Sequence, residues 1–123
     1  MNNRSYSQKQ VFDYYQEVKD SMNESKLIEL ITTRKLSVTS VNKEKVTPLM
    51  YAIDLGFSID TIDKLVKAGS DVNAQDDDGM TPLHYCFYND YYEIFEYLVH
   101  TAKADLNIAE EEDGPTILEE CEE

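Results

Sequence analysis

A six-residue segment that occurs twice, 34 residues apart, is the feature that most constrains how this chain folds. It reads TPLMYA at 47–52 and TPLHYC at 81–86, and a weaker copy, DGPTIL, begins at Asp113. A second pattern has nearly the same period, since LVKAGSDVNA at 65–74 parallels LVHTAKADLN at 98–107 with one extra residue. A period near 34 is the length of one helix-turn-helix unit with its connector. We therefore expect similar units that stack side by side.

The repeated segment contains the residues that begin an α-helix. Thr47 and Thr81 can cap a helix because the threonine hydroxyl accepts a free backbone N–H of the first turn. The proline that follows each threonine suits the first helical position, where no N–H is needed. A second helix is predicted in each unit from the apolar spacing of residues 61–66 and from the D-x-x-E form of residues 90–93. Gly69 fits the left-handed position that ends a helix.

These residues resemble the ankyrin repeat, whose pattern is roughly D-x-x-G-x-T-P-L-H-x-A-A, then a second helix, then L-L-x-x-G-A-D-V-N-A. Residues 76–107 match one repeat with TPLH intact, and residues 42–74 match a second. In the second, Met50 stands at the His position and Lys45 at the Gly position. The resemblance implies an all-α fold, an ankyrin-repeat solenoid of stacked helix-turn-helix units with short β-hairpin-like connectors.

The whole chain, 1–123, is expected to form a single ankyrin-repeat domain, because its length is typical of one domain. Repeat arrays need end units with a polar outer face. Residues 5–40 are interpreted as a degenerate capping repeat, with apolar residues at 11, 14, 15 and 18 and a capping box at 21–24. Between the ends lie the repeats 42–74 and 76–107. Residues 111–123 are interpreted as a partial C-terminal repeat, in which Thr116-Ile117-Leu118-Glu119 forms another capping box.

The charge of the chain excludes several classes of partner. There are 25 Asp and Glu against 11 Lys and Arg, a formal net charge of −14. Nucleic acid and anionic membrane surfaces both require a basic protein surface, so neither is an expected partner. The first ten residues lack the apolar core of a secretory signal. The 2 cysteines are too few for a disulfide scaffold, which favours a cytoplasmic location.

The acidic residues are concentrated in the second half of the chain. Residues 1–60 are electrically neutral, whereas residues 61–123 hold 17 acids and 3 lysines. Two dense acidic runs occur at 76–78 and 110–113. They can serve as a solubilising surface, or as a docking face that steers a basic protein toward it.

Motifs for catalysis or metal binding are absent from the sequence. There is no nucleophile elbow, no glycine-rich phosphate loop and no H-E-x-x-H. His84 belongs to the repeat motif, which favours a structural role, and His84-x-Cys86 lacks further ligands at zinc spacing. Calcium-loop registers built on Gly79 or Gly114 each leave a key ligand position without a carboxylate. We therefore expect neither an enzyme nor a bound cofactor or metal.

The resemblance also implies where a partner would bind. In the ankyrin family, binding residues usually lie on the hairpin tips and on exposed positions of the first helix. Carried over by position, the hairpin-tip residues are Lys43, Glu44, Val46, Asp77, Asp78, Met80, Glu112 and Asp113. The first-helix residues are Tyr51, Asp54, Leu55, Tyr85, Tyr88 and Asn89. We expect Tyr88 and Tyr92 to be exposed, and Phe87 and Tyr97 to pack in the interior.

The expected function is that of a non-enzymatic protein-protein interaction module. A small acidic binder, acting as inhibitor or neutraliser of one basic protein, fits the size and charge. Immunity proteins and ankyrin-type enzyme inhibitors are both precedents for this role, by analogy alone. Such a chain would be a monomer or form a heterodimer with its partner. The alternative is a fragment or small subunit of a larger ankyrin-containing scaffold or assembly, with its acidic end packed on a neighbour.

Overall fold

The computed structural model describes residues 12–17, 24–33, 38–39, 41–110 and 114–121. Its helices are α1, which includes residues 12–17, α2 (Glu24–Thr32), α3 (Pro48–Leu55), α4 (Ile59–Lys67), α5 (Pro82–Asn89), α6 (Tyr92–His100) and α7 (Ile117–Cys121). Over these ranges no β-strand forms, and an isolated antiparallel bridge pairs Ala109 with Thr116. None of these helices is long and apolar enough to cross a membrane.

The helices pack in two layers. In the first layer α3 packs on α5 and α5 on α7, and in the second α2 packs on α4 and α4 on α6. Within each unit α3 packs on α4 and α5 on α6. α1 joins the first layer, because Phe12 meets the ring of Tyr51 edge-on at 5.2 Å and the Tyr51 hydroxyl donates to Gln16 Oε1 at 3.2 Å. The predicted all-α stack of helix-turn-helix units is confirmed.

Reciprocal hydrogen bonds begin the first helix of both central units. The Thr47 hydroxyl accepts from the Met50 N–H at 3.2 Å, and the Thr81 hydroxyl accepts from the His84 N–H at 3.4 Å. In return the threonine N–H donates to Met50 Sδ at 3.5 Å and to His84 Nδ1 at 3.1 Å. The two caps predicted from the sequence are therefore confirmed. Met50 and His84 perform the same capping task with different atoms.

The C-terminal unit repeats this start. Glu119 N–H donates to the Thr116 hydroxyl at 3.2 Å, and Thr116 N–H donates to Glu119 Oε1 at 2.9 Å, which confirms the predicted capping box. Ile117 is buried, and Leu118 N–H donates to the Leu106 carbonyl at 3.1 Å. The other predicted box, at 21–24, extends beyond the described residues.

Left-handed backbone conformations recur at equivalent turns. Gly56 ends α3 with φ 82°, and Asp90 ends α5 with φ 62°. The helix predicted from the D-x-x-E form of residues 90–93 is present as α6, but it begins after Tyr91, which makes no side-chain cap bond. Gly69 follows α4 with φ 113°, as expected.

A carboxylate of α2 caps the second helix of the next unit. Glu24 Oε1 accepts hydrogen bonds from the Ser58 N–H at 3.1 Å, the Ser58 hydroxyl at 2.8 Å and the Thr61 hydroxyl at 2.6 Å. These donors lie in the first turn of α4, where free N–H groups and the helix dipole favour a negative charge. The contact ties the N-terminal unit to the first complete repeat.

The apolar core runs between the two layers. Ala52 and Cys86, equivalent small residues on α3 and α5, are both fully buried and allow these helices to approach closely. Buried side chains from both layers complete this core: Leu27, Ile31, Leu49, Ile53, Ile62, Leu65, Leu83, Ile94, Leu98 and Ile117. Phe87 and Tyr97 pack against it while partly exposed, which agrees with their expected interior role.

Candidate protein-binding face

Two connectors lie side by side at one end of the helices. The connectors 42–46 and 76–80 are each closed by a hydrogen bond from the first N–H to the last carbonyl, at 3.1 and 3.0 Å. Asp77 N–H donates to the Glu44 carbonyl at 2.9 Å and holds the two tips together. The exposed charged side chains at these tips are Lys43, Glu44, Lys45, Asp77 and Asp78. The first tip is therefore mixed in charge and the second is acidic.

The first residue of each connector turns its side chain inward. Asn42 Oδ1 and Asp76 Oδ1 each accept hydrogen bonds from the second and fourth N–H that follow, at 2.9–3.0 Å. Asp76 Oδ2 also accepts from the Tyr85 hydroxyl at 2.5 Å, and Asp76 is only 8% exposed. The acidic run 76–78 thus divides into one structural residue and two exposed ones. The sequence signal for the structural role of Asp76 was Asn42, the equivalent residue of the first connector. An asparagine there shows that this position requires a hydrogen-bond acceptor rather than a charge.

Side chains on α3 and α5 form pairs one repeat apart. Because the two helices pack together, residues 34 positions apart lie at corresponding places along the first layer. Asp54, Tyr88 and Asn89 are exposed, and Tyr88 retains 52% of its accessible surface. Tyr51, Leu55 and Tyr85 are partly buried. Half-exposed tyrosines beside carboxylates offer apolar contact area with a polar edge, a composition enriched at protein interfaces.

Carboxylates from two elements converge on Tyr85. Burial raises the pKa of Tyr85 well above its usual value, and the hydrogen bond to Asp76 raises it further. The negative charges of Asp54 on α3 and Asp78 at the second tip raise the pKa of Tyr85 in the same direction. The buried Asp76 carboxylate is thus the direct partner of the Tyr85 hydroxyl, and exposed carboxylates add negative charge around it. We use the name acidic face for the exposed side chains of this region: Glu44, Asp54, Asp77, Asp78, Tyr88 and Asn89.

Glu110 extends the negative charge toward the C-terminal unit. The Tyr88 hydroxyl donates to Glu110 Oε1, and His84 Nε2 lies 3.9 Å from the same oxygen. Because His84 Nδ1 accepts from the Thr81 N–H, the neutral ring carries its proton on Nε2, which is buried and makes no hydrogen bond within the described residues. Burial lowers the pKa of His84, although Glu110 and Asp76 oppose this effect. The sequence analysis placed Glu110 in an acidic run but missed its contact with Tyr88, since nothing local links residues 22 positions apart.

The predicted binding residues fall into three groups. Lys43, Glu44, Asp54, Asp77, Asp78, Tyr88 and Asn89 are exposed. Val46, Tyr51, Leu55, Met80 and Tyr85 are partly buried, and all but Met80 pack against the core. Glu112 and Asp113 lie outside the described residues. Tyr92 is 65% exposed, as expected for this residue.

The acidic face offers carboxylates, an amide and a phenol, which form hydrogen bonds and ion pairs. Among the residues whose side chains the structure describes, no group of three His, Cys, Asp or Glu is placed to hold a metal ion. Burial raises the pKa of the Cys86 thiol to about 12, so it is a poor nucleophile at neutral pH.

Comparison with known proteins identifies the fold family. The family model described as ankyrin repeats, in three copies, matches residues 18–110. This chain belongs to the ankyrin-repeat family. A human protein, Protein phosphatase 1 regulatory subunit 27, is 33% identical over 69 residues, which are 56% of this chain and 44% of that protein. The aligned part thus spans less than half of that relative.

Ankyrin repeats indicate a protein-protein interaction module. In this ankyrin-repeat chain the repeated residues are those that cap and pack, such as Thr47 and Leu49 with their partners Thr81 and Leu83. The exposed positions vary between the repeats, as Asp54 and Tyr88 do. The acidic face therefore combines a common scaffold with side chains particular to each repeat.

Proposed function

We propose that this ankyrin-repeat protein binds a basic partner protein through its acidic face. The observation that carries the proposal is the set of exposed carboxylates at the adjoining connector tips, Glu44, Asp77 and Asp78, which the hydrogen bond from the Asp77 N–H to the Glu44 carbonyl holds together. A cluster of negative charge raises the local concentration of a positively charged protein and speeds its association. The rigid layer of α3 and α5 holds these groups in fixed positions before the partner arrives.

The aromatic residues of the face supply the contact area. Tyr88 is half exposed, and its hydroxyl is bonded to Glu110, so its ring is oriented in advance. A tyrosine ordered before binding loses little side-chain entropy, which is why tyrosines often dominate interface energies. Lys43 and Lys45 make the first tip less acidic, so the most basic part of the partner should lie against the second tip.

We further propose that binding inhibits or neutralises the partner, as an immunity-type protein or an enzyme inhibitor does. The net charge of the chain fits a binder of one basic protein, alone in solution or paired with that partner. The human relative is named as a phosphatase regulatory subunit, and this name favours a regulatory, non-catalytic role for the present chain. The proposed cytoplasmic location rests on the cysteine content.

Affinity capture from the source cells tests this proposal. The chain and its Asp77→Lys/Asp78→Lys variant are used as baits in parallel, over a series of salt concentrations. The matched control is Asp60→Lys/Glu93→Lys, which makes the same change of charge at exposed positions of α4 and α6. We expect a basic protein that the chain and the control retain, that the tip variant loses, and that salt releases. An acidic partner, or binding that is indifferent to salt, would contradict the proposal.

The alternative role, a fragment or small subunit of a larger ankyrin-containing assembly, predicts a different behaviour. The isolated chain would then associate or aggregate, because a surface meant for a neighbour would remain uncovered. Light scattering of the purified chain distinguishes the two roles. A monodisperse monomer favours the independent binder.

A further inference from the structure

Tyr88 and Glu110 form a pair that lies beside the second connector tip. The Tyr88 hydroxyl donates to Glu110 Oε1, and Tyr88 retains 52% of its accessible surface. The backbone of Glu110 adjoins Gly79, because a Cβ atom added to that glycine would lie 2.0 Å from the Glu110 carbonyl oxygen. Gly79 belongs to the same connector as Asp77 and Asp78. The pair therefore continues the acidic face toward the C-terminal unit.

The ring of Tyr88 is held in place by its neighbours. It meets the ring of Phe87 edge-on, with the centroids 5.5 Å apart and an angle of 70° between the planes. The ring of His84 lies 6.4 Å from it and is tilted by 35°. Together with the hydroxyl bond to Glu110, these contacts orient an aromatic ring that remains half exposed. A cation is attracted to the face of such a ring, and a ring ordered beforehand loses little side-chain entropy on binding.

The Glu110 carboxylate is partly desolvated and has no lysine or arginine as partner within the described residues. Its side chain is 30% exposed. His84 Nε2, which is buried and makes no hydrogen bond there, lies 3.9 Å from Oε1, the oxygen that the Tyr88 hydroxyl also reaches. The other carboxylate oxygen accepts no hydrogen bond from any residue that the structure describes. A charge that has lost part of its hydration favours a cation that can donate to this second oxygen.

The equivalent place in the first repeat has no such pair. Asp54 stands 34 positions before Tyr88, and Asp76 stands 34 positions before Glu110. Two ionised carboxylates cannot form a hydrogen bond, and Asp76 instead accepts bonds from its own connector and from Tyr85. α3 and α5 nevertheless pack together there. Stacking of the repeats therefore does not require an aromatic–carboxylate pair at this position, which leaves Tyr88 and Glu110 available for binding.

We propose that Tyr88 and Glu110 form a subsite for one arginine side chain of the basic partner, an inference that rests on the proposed binding at the acidic face. The guanidinium group stacks on the exposed part of the tyrosine ring and donates to the glutamate carboxylate. Arginine fits this pair better than lysine, because its planar group can stack and donate two parallel hydrogen bonds at once. The lysine ammonium is a compact and more strongly hydrated charge. Lysines of the partner then lie against the second tip.

Titration of the full, isotope-labelled chain with a small arginine probe tests the subsite. The probe is N-acetyl-arginine methylamide, and its counterparts are the lysine derivative and the citrulline derivative, which keeps the shape of arginine without its charge. In two-dimensional NMR spectra the backbone signals of His84, Tyr88 and Glu110 should shift with the arginine probe and saturate. The lysine probe should bind there about two- to fivefold more weakly, the factor expected for one exposed stacking contact. Citrulline should leave these signals unchanged. Equal binding of arginine and lysine, or no saturable shift with arginine, would overturn the inference.

Three variants then locate the probe. Tyr88→Leu removes the ring and should abolish the preference for arginine over lysine. Glu110→Gln removes the charge and should weaken the arginine probe about two- to fivefold, as the loss of a solvent-accessible ion pair does. The matched control Tyr92→Leu removes another exposed tyrosine, whose hydroxyl is bonded to Asp90, and should bind the probe as the unchanged chain does. A preference retained in Tyr88→Leu, or lost equally in Tyr92→Leu, would overturn the inference. Circular dichroism checks that all three variants fold.

Affinity capture separates this inference from the proposal for the acidic face. As a bait, Tyr88→Leu should retain less of the basic partner than the unchanged chain, and Tyr92→Leu should retain as much. If the Asp77→Lys/Asp78→Lys bait loses the partner and Tyr88→Leu does not, the acidic face stands and the arginine subsite is wrong. If the arginine probe binds at Tyr88 but capture returns only an acidic protein, the proposed function is wrong, and the subsite has no arginine of a basic partner to bind.

Discussion

The repeats 42–74 and 76–107 share a backbone plan and differ in almost every exposed side chain. Both begin the first helix with a threonine cap, and both turn the first residue of the connector inward. The first repeat has lysines at its tip, whereas the second has Asp77 and Asp78. Stacking thus depends on capping and packing residues that recur every 34 positions. The charge that favours a basic partner is added at positions free of that constraint.

The repeats also differ in how their second helix begins. Ser58 caps α4 with help from Glu24 of the preceding unit, whereas α6 begins after Tyr91, which makes no side-chain cap bond. A helix whose first N–H groups lack such partners is held mainly by its packing. The second repeat therefore depends more on its core contacts than the first does.

The largest effect is expected from the core of the second repeat. Leu83→Ala removes a buried side chain and should lower the free energy of unfolding by about 2–5 kcal/mol. The matched change Leu118→Ala, at the equivalent but exposed position, should cost less than about 1 kcal/mol. Urea unfolding measures both. Equal losses would mean that Leu118 is covered as Leu49 and Leu83 are.

A smaller effect is expected at the left-handed position of each connector. Gly79 has φ 81°, and a Cβ atom added there would lie 2.0 Å from the Glu110 carbonyl oxygen, so Gly79→Ala should cost about 1–3 kcal/mol. Lys45 holds the equivalent place with φ 63°. Lys45→Gly should change stability by less than about 1 kcal/mol, because relief of strain is offset by backbone entropy. Thermal unfolding of the Gly79→Ala and Lys45→Gly variants measures these effects. If Gly79→Ala does not lower the stability, the close approach of the Glu110 carbonyl is refuted.

The smallest effect is expected in the pH dependence of stability, to which His84 contributes and its equivalent Met50 does not. Burial keeps the pKa of His84 below its usual 6.5, so the unfolded chain binds a proton more tightly than the folded one. His84 therefore does not reduce the free energy of unfolding above pH 6.5. The free energy of unfolding declines as the pH falls below that value. His84→Met copies the natural cap of the first repeat and should remove this part of the decline. Urea unfolding from pH 7.5 to about 5 measures it, and identical pH dependence in both proteins would contradict the assignment.

The features that sequence predicted well are those fixed by neighbouring residues. The caps at Thr47, Thr81 and Thr116 were foreseeable, because each depends on a partner three positions away. The αL ending of α5 at Asp90 was missed, although Gly56 at the equivalent place was the available signal. Aspartate tolerates that conformation, and its competing role as a helix cap concealed it.

Features that depend on contacts between units could not be read from the sequence. Glu24 reaches α4 across 34 positions, and Glu110 reaches Tyr88 across 22. Neither contact is made by the residues that define the repeat motif, so the motif does not indicate it. The exposure of the side chains at the connector tips was foreseeable, because the position of a residue in the repeat determines its exposure. Which of those side chains bind a partner remains a prediction.

Zero-length crosslinking of the captured complex tests the central claim most directly, because the reagent joins a carboxylate to a lysine only where the two are in contact. Mass spectrometry then identifies the bonded residues. The account predicts partner lysines joined to Asp77, Asp78 and Asp54 on the acidic face. Crosslinks confined to Asp60 and Glu93, on the opposite layer of helices, would contradict it.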